Sequence, residues 1–200
     1  MNLVVGATGM VGAEICRLLA AAGKPVKALV RGTSDPATVA RLERLGAVVT
    51  TASSMPFAYR LDENTPQLTD YPDHKAVIYG TGDNPISWIS FQDVARFAVA
   101  SLDNPMAEDT TLELGGPESV TPSDVVMILE RAGGRPFEVT HVRIDALQAQ
   151  LAAATDPMQK SFIGLMLNYA SARPIDMYAT LGAFPPRLNT VGEHARSVMT

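Results

Sequence analysis

The stretch MNLVVGATGMVGAEI (residues 1–15) decides the fold, because it joins a short apolar run, a glycine triplet and a helical pattern. The run before the glycines has the length of a strand, and the apolar residues after them recur at helical spacing. Between the two, Gly6, Gly9 and Gly12 form the spacing G-x-x-G-x-x-G. A glycine turn between a strand and a helix lets a pyrophosphate approach bare backbone at the helix N-terminus. The pattern predicts a phosphate-binding loop, with Gly6 in the turn, Gly9 at the close approach and Gly12 where the helix meets the strand.

The first part of the chain continues to alternate between strand and helix patterns. A strand is predicted over residues 25–30, then a helix opened by Asp35 and Pro36, then a strand over residues 47–51. Asp35 is suited to cap that helix, and proline suits its first position. Strand–helix–strand–helix–strand is the first half of a doubly wound sheet. We therefore expect an α/β fold with a parallel sheet and helices on both faces.

The rest of the chain is less regular. Residues 52–75 contain three prolines and hold no helical period, which predicts a mostly irregular segment. Further strands are expected at residues 76–80, 111–116 and 137–142, and further helices after Ser90, Thr121, Asp156 and Thr190. We expect one α/β domain over residues 1–120, reduced in strand number, and a small, mainly helical lobe over residues 121–200 packed on it as one unit.

Composition excludes several classes of function. The net charge of the 200-residue chain is −5, and its basic residues form no cluster, so we expect no nucleic-acid partner. Cys16 is the one cysteine, which rules out a disulfide framework, and the three histidines lack metal-ligand spacing, so no metal site is expected. No leader pattern or long apolar run is present, so we expect a cytoplasmic protein with no membrane segment.

The tip of the second strand bears on which nucleotide the loop would hold. Arg31 follows that strand directly, whereas an enzyme that binds a ribose diol commonly has an acidic residue there. An arginine suits the 2′-phosphate of NADP, and Asp35 comes later, in its capping position. Thr8 adds a hydroxyl within reach of a phosphate. The residues therefore favour NADP(H) over NAD(H), the alternative being a solvated arginine at a strand end.

Three segments resemble a known family: GATGMVG with the later LVR tip, ISWISFQDVARFAV, and TLELGGPESVTPSDV. They are similar to the NmrA-like atypical short-chain dehydrogenase/reductases. The resemblance implies a Rossmann-like NAD(P)-binding domain over residues 1–120 and a C-terminal lobe that covers the substrate cleft. It assigns the adenosine phosphate to Arg31. It also implies that five residues line the pyrophosphate: Gly6, Thr8, Gly9, Met10 and Val11.

The chain departs from the family in its middle. Members of the family place further strand–helix units, of about 30 residues each, between the third strand and the strand that here covers residues 76–80. Only residues 52–75 are available, and within them Ser54-Met55-Pro56-Phe57 resembles a segment that lies near the nicotinamide. The half of the sheet that holds the nicotinamide and the catalytic residues is therefore expected to be reduced. The edge beside the first strand would then be open to a second copy, giving a homodimer.

One further motif has catalytic spacing. Tyr71 and Lys75 form Y-x-x-x-K, which ordinary short-chain dehydrogenases use for a proton-donating tyrosine and the lysine that lowers its pKa. That pairing needs a helix, which brings residues four apart close together on one face. Pro72 and the strand that follows at once argue against a helix, so the catalytic residues stay unassigned.

Two functions follow from these observations. The first is an NAD(P)H-dependent oxidoreductase that reduces a small carbonyl or quinone-like compound, with hydride transfer supplied by the cofactor. The alternative is a non-catalytic NADP(H)-binding redox sensor or regulatory protein, which the resemblance to NmrA-like proteins also allows. A third alternative is a shortened sheet that binds no nucleotide.

Overall fold

A computed structural model of the chain describes residues 1–52, 69–70, 73–184 and 186–199. These residues form two compact units, each assembled from separate parts of the chain. The first contains the described parts of Met1–Glu63, Ser90–Leu114 and Tyr178–Arg187, and the second those of Asn64–Ile89, Gly115–Met177 and Leu188–Thr200. The expected domain boundary at residue 120 stays a prediction.

Strands and helices alternate at the start of the chain, and helices dominate its end. Their bounds in chain order are β1 (Asn2–Val5), α1 (Met10–Ala21), β2 (Val26–Arg31), α2 (Pro36–Arg44), β3 (Val48–Ala52), β4 (Thr69–Asp70), β5 (Lys75–Tyr79), β6 (Ile86–Ser87), α3 (Phe91–Ser101), β7 (Ser119–Val120), α4 (Pro122–Gly133), β8 (Glu138–Val142), α5 (Ile144–Ala153), α6 (Pro157–Ala170), α7 (Tyr178–Ala183) and α8 (Val191–Val198). A short 3-10 turn covers Pro105–Ala107.

The sheet of the first unit is parallel and contains β1, β2 and β3, with β2 in the middle. Val4 lies opposite Ala28, and Ala28 lies opposite Val49. This arrangement confirms the predicted strand–helix–strand–helix–strand unit. Because neighbouring parallel strands end at the same edge of a sheet, the loop after β1 and the loop after β2 are brought side by side.

A hydrophobic cluster fixes this sheet to its helices. Val4 and Val30 of the sheet are buried, and they belong to one cluster with Leu19 of α1 and Leu42 of α2. Leu42 is fully buried, and full burial of a leucine side chain contributes about 1.5–3 kcal/mol. The thiol of Cys16 is buried in the same cluster, which raises its pKa. The helices that follow β1 and β2 are therefore held in fixed positions behind the two loops.

The second unit has its own sheet, in which β5 lies between β4 and β8. β5 runs parallel to β8, with Ile78 opposite His141, and antiparallel to β4. A small two-stranded sheet pairs β6 with β7. The α/β class with parallel strand pairs is confirmed, and the strands are divided among separate sheets. β4 is a short strand within the segment that we expected to be irregular.

The prediction of a strand over residues 111–116 is wrong. These residues have no ladder partner in the described part of the chain, and the pairing occurs later, at β7. The reason lies in the two glycines, because a Cβ at Gly116 would lie 2.7 Å from the carbonyl carbon of Trp88. The N–H of Gly115 donates to the Met177 sulfur rather than to a neighbouring strand. Close backbone packing therefore replaces a ladder here.

Candidate functional site

The loop between β1 and α1 is shaped by its glycines. Gly6 has a φ of +72°, in the left-handed region that favours glycine, and its carbonyl accepts the N–H of Gly9 at 2.9 Å. A Cβ at Gly12 would lie 2.8 Å from the carbonyl carbon of Gly6 and closer still to its oxygen. Ala7 between them is fully buried, which anchors the turn. The roles predicted for Gly6 and Gly12 thus have a steric basis in the loop itself.

The N-terminus of α1 is open. Gly9 is the N-cap, no side chain caps it, and the first turn contains no acidic residue. The N–H groups of Met10, Val11 and Gly12 have no acceptor within the helix, because the first turn of an α-helix lacks them. Three donors and the positive end of the helix dipole therefore remain for an anion.

A pocket of about 190 Å³ adjoins this helix end and joins the loop after β1 to the loop after β2. Its lining belongs wholly to the first unit and is polar. The residues that line it are Thr8, Arg31, Thr33, Ser34, Asp35 and Thr38. Thr8 of the first loop and Arg31 at the end of β2 therefore share one cavity.

Arg31 is the last residue of β2 and is held by the turn that follows. Its N–H donates to Ser34 Oγ at 3.1 Å, and the N–H of Ser34 donates back to the Arg31 carbonyl at 3.0 Å. Within the described ranges, the guanidinium of Arg31 makes no hydrogen bond and no ion pair. A half-buried cation with all its donors free thus lines the pocket.

Asp35 caps α2, as the sequence predicts. One of its carboxylate oxygens accepts the hydroxyl of Thr38 at 2.7 Å and the N–H of Thr38 at 2.9 Å, and the other accepts the N–H of Ala37 at 3.4 Å. The Thr38 hydroxyl is the main reason that the pKa of this carboxyl lies below its usual value. Both oxygens are therefore committed to the start of the helix.

The C-terminal end of β5, in the second unit, is arranged differently. The carbonyl of Gly82 accepts both the N–H and the hydroxyl of Ser123, and the carbonyl of Gly80 lies 3.1 Å from His141 Nδ1. The side-chain amide of Asn84 donates to the carbonyls of Tyr169 and Ala172. The polar groups at this strand end are thus largely used to hold the chain together.

Two tyrosines lie close to this strand end. Tyr79 ends β5 and packs edge to face against Tyr169 of α6, with ring centroids 6.3 Å apart. Burial raises the pKa of both phenols, and for Tyr169 the neighbouring Tyr79 adds to the shift. Trp88 also packs edge to face against Tyr169, with ring centroids 5.7 Å apart, and donates its indole N–H to the Val120 carbonyl. These aromatic residues form part of the packing of the second unit.

The residues predicted to bind the cofactor lie in the loop after β1, in the first turn of α1 and at the last position of β2. They are Gly6, Thr8, Gly9, Met10, Val11, Gly12 and Arg31. Their contact with a cofactor stays a prediction. Sequence reasoning missed Thr33, Ser34 and Thr38 as lining residues. The run RGTSDPAT directly after β2 contains these hydroxyls and is the signal that could have found them.

The Y-x-x-x-K hypothesis stays open. Tyr71 lies outside the described residues, as do Ser54-Met55-Pro56-Phe57. Lys75 is exposed at the first position of β5, in a strand rather than a helix. Among described residues, no group of three or more metal-ligating side chains occurs, and no helix is both long and apolar enough to span a bilayer.

Two curated proteins match about half of this chain. The chain is 32% identical over 105 residues to an NAD(P)H azoreductase of Xenophilus azovorans, and 26% identical over 88 residues to an isoflavone reductase homolog of Zea mays. The matches cover 52% and 44% of this chain but 36% and 28% of those proteins, so the chain spans about a third of their length. No protein-family model matches the chain.

Solved structures show the fold. A complex of leucoanthocyanidin reductase with NADPH from Vitis vinifera superposes with a TM-score of 0.75 at 13% identity, covering 99% of both chains. An NADPH-dependent quinone oxidoreductase from Escherichia coli gives 0.66 at 14% identity, covering 100% of both. The enzyme AtPrR2 with NADP⁺ and pinoresinol gives 0.70 at 14% identity, covering 98% of both. The chain therefore has the Rossmann-like α/β fold that these NAD(P)-binding reductases share.

Proposed function

We propose that this chain binds NADP(H) and acts as an NAD(P)H-dependent oxidoreductase on a small carbonyl or quinone-like compound. The observation that carries the proposal is the pocket in which the free guanidinium of Arg31 stands beside the glycine loop and the open N-terminus of α1. An extended dinucleotide that has a pyrophosphate and a separate 2′-phosphate fits this combination of donors.

The glycine loop suits the pyrophosphate. The N–H groups at the start of α1 point away from the helix, and Gly9 is exposed with no side chain to hinder a ligand. A phosphate at a helix N-terminus gains hydrogen bonds and a favourable dipole interaction together. We therefore assign the pyrophosphate to Gly6, Gly9, Met10, Val11 and Gly12.

The pocket beside this loop suits a 2′-phosphate better than a free ribose diol. Arg31 supplies a charge and planar donors, and hydroxyls of Thr8, Thr33 and Ser34 line the same space. Recognition of a diol usually requires a free carboxylate at the strand tip, whereas the carboxylate of Asp35 is engaged by α2. The names of two structural neighbours support the same preference, since they refer to NADPH.

The reaction rests on the cofactor. When bound, NADPH supplies a hydride, and the acceptor takes up that hydride together with a proton from solvent or a side chain. The residues of this chain would bind and orient the adenine half through the loop and the pocket. The substrate class follows the relatives, which are named for azo, isoflavone and quinone reduction.

The proposal is tested by following NADPH oxidation by the purified chain with a panel of quinones, aldehydes, enones and azo dyes. We expect slow, acceptor-dependent oxidation that saturates with NADPH. NADPH binding without turnover of any acceptor would contradict the oxidoreductase and favour the non-catalytic nucleotide-binding alternative. Failure to bind either nucleotide would contradict both.

A further inference from the structure

The pocket contains one feature that a phosphate site does not require, which is a carboxylate. Asp35 lines the same space as Arg31, and it is the only acidic residue among the six that the structure places around that space. A negative charge beside a 2′-phosphate weakens its binding by repulsion, and a carboxylate with free oxygens would accept the hydroxyls of a ribose diol instead. The position of Asp35 therefore bears directly on nucleotide choice.

The hydroxyl of Thr38 adds to the backbone hydrogen bonds that direct this carboxylate towards α2. It donates to the same Asp35 oxygen that accepts the backbone N–H of Thr38, at 2.7 and 2.9 Å. The backbone bond alone is an ordinary N-cap, and serine, threonine or asparagine would provide an equivalent one. The additional hydroxyl bond fixes the carboxylate towards α2, and no ion pair joins Asp35 to Arg31 among the described ion pairs.

We propose that Asp35 and Thr38 together set the specificity for the nucleotide, because the Thr38 hydroxyl holds the Asp35 carboxylate on α2 and leaves Arg31 free for a 2′-phosphate. The negative charge of Asp35 remains in the pocket and limits how tightly that phosphate binds. This inference rests on the proposed NADP(H) site. Thr38 is then a positioning residue, because its side chain acts on Asp35 and not on the phosphate.

The proposal is tested with Asp35→Asn, which keeps the N-cap and removes the charge. We expect the dissociation constant for NADPH to fall by about threefold to tenfold, while that for NADH changes by less than about twofold. The gain shrinks as salt is raised, because exposed charges are screened over a Debye length of about 8–10 Å. A purely structural cap would show neither the gain nor its salt dependence.

A second pair of variants tests the positioning role. Thr38→Val removes the hydroxyl at nearly constant shape and leaves the Asp35 carboxylate held by backbone N–H groups alone. With this carboxylate less firmly directed to α2, we expect NADPH to bind more weakly, NADH more tightly, and their affinity ratio to fall by about threefold or more. Thr38→Ser restores the hydroxyl and should restore the ratio. Urea unfolding of each variant, followed alongside calorimetric titration, separates these effects from loss of the fold.

Several results would overturn the inference. If Asp35→Asn leaves both affinities unchanged, the carboxylate does not act on the nucleotide. If it weakens NADH tenfold without changing NADPH, Asp35 binds a ribose diol. In both cases the wild-type protein still binds NADPH, and the proposed function stands. A wild-type protein that binds neither nucleotide would contradict the proposed function and this inference together.

Discussion

The C-terminal ends of the parallel strands use their polar groups in opposite ways in the two units. After β1 and β2, the start of α1 has no side-chain cap, and the guanidinium of Arg31 has no partner in the described parts of the chain. After β5, the carbonyls of Gly80 and Gly82 and the amide of Asn84 are hydrogen-bonded within the second unit. Both ends contain glycines with positive φ, so the glycines alone do not distinguish them.

The difference shows which features identify a binding site in this chain. Buried or half-buried polar groups are normally satisfied within the protein, so donors left open in a pocket indicate a ligand. The first strand end meets that criterion with the N–H groups of α1 and the guanidinium of Arg31, whereas at the second the buried atom without a partner among the described residues is an acceptor, Asn84 Oδ1. Substitutions at the first end should therefore change nucleotide binding, and substitutions in the second unit should change stability alone.

The largest effect is expected for Gly12→Val. The valine side chain would clash with the backbone of Gly6, and a backbone cannot move aside as easily as a flexible side chain. We expect a loss of about 2–4 kcal/mol in the free energy of unfolding and no measurable NADPH binding.

Gly164→Ala is the matched control, because Gly164 is also helical and a Cβ there meets nothing within 4 Å. It should gain about 0.5–1 kcal/mol by urea unfolding. Equal effects of the two substitutions would contradict the steric role of Gly12.

The next effect is expected for Arg31→Ala. Loss of a charged hydrogen-bond donor to a phosphate should raise the dissociation constant for NADPH about 10- to 100-fold and leave NADH within about twofold. Arg44→Ala removes an exposed arginine of α2 outside the pocket and serves as the control. Calorimetric titration measures both. A similar loss for NADH would show that Arg31 acts on the fold or on another part of the nucleotide.

A smaller pair of effects separates binding from stability. Thr8→Val removes a hydroxyl from the pocket, so NADPH should bind about threefold to tenfold more weakly at unchanged stability. Thr190 in the second unit caps α8, accepting the N–H of Glu193 at 3.1 Å. Thr190→Ala should cost about 1 kcal/mol in urea unfolding and leave NADPH affinity unchanged. The comparison fails if Thr190→Ala weakens binding as much as Thr8→Val does.

The smallest effect concerns the thermal stability of the protein at low pH. Hydrogen bonds from Thr38 and Thr121 lower the pKa values of Asp35 and Asp124 from their usual 3.8. A carboxyl whose pKa is lower in the folded protein stabilises the fold above the unfolded pKa, and this contribution is lost as pH falls through the folded value. Thermal midpoints should therefore drop as pH falls below about 4. Asp124→Asn should make this drop shallower, and an unchanged drop would show that Asp124 does not contribute to it.

The sequence predicts the first strand end well, because its constraints are local. Three glycines at fixed spacing, an arginine at a strand tip and an aspartate before a proline each act within a few residues. The carbonyl of Gly6 alone explains why Gly12 has no side chain. The lining by Thr33 and Ser34 was not predicted, because it depends on how the turn closes onto the backbone of Arg31.

The second unit was harder to predict, because its contacts are distant in sequence. β5 pairs with β8 across more than 50 intervening residues, and the periodicity of a sequence does not indicate which strands will pair. Apolar alternation over residues 111–116 favoured a strand, whereas the close approach of Gly115 and Gly116 to the β6 segment decided otherwise. Alternation reports which side chains are buried but does not report whether the backbone has room for a ladder.

The central claim is that the pocket beside the glycine loop selects a 2′-phosphate, and one calorimetric titration tests it most directly. The wild-type chain is titrated with NADPH and with NADH under the same salt and pH. We expect NADPH to bind at least about tenfold more tightly, because only NADPH has a phosphate for Arg31. Equal affinities, tighter binding of NADH, or binding of neither nucleotide would contradict the account.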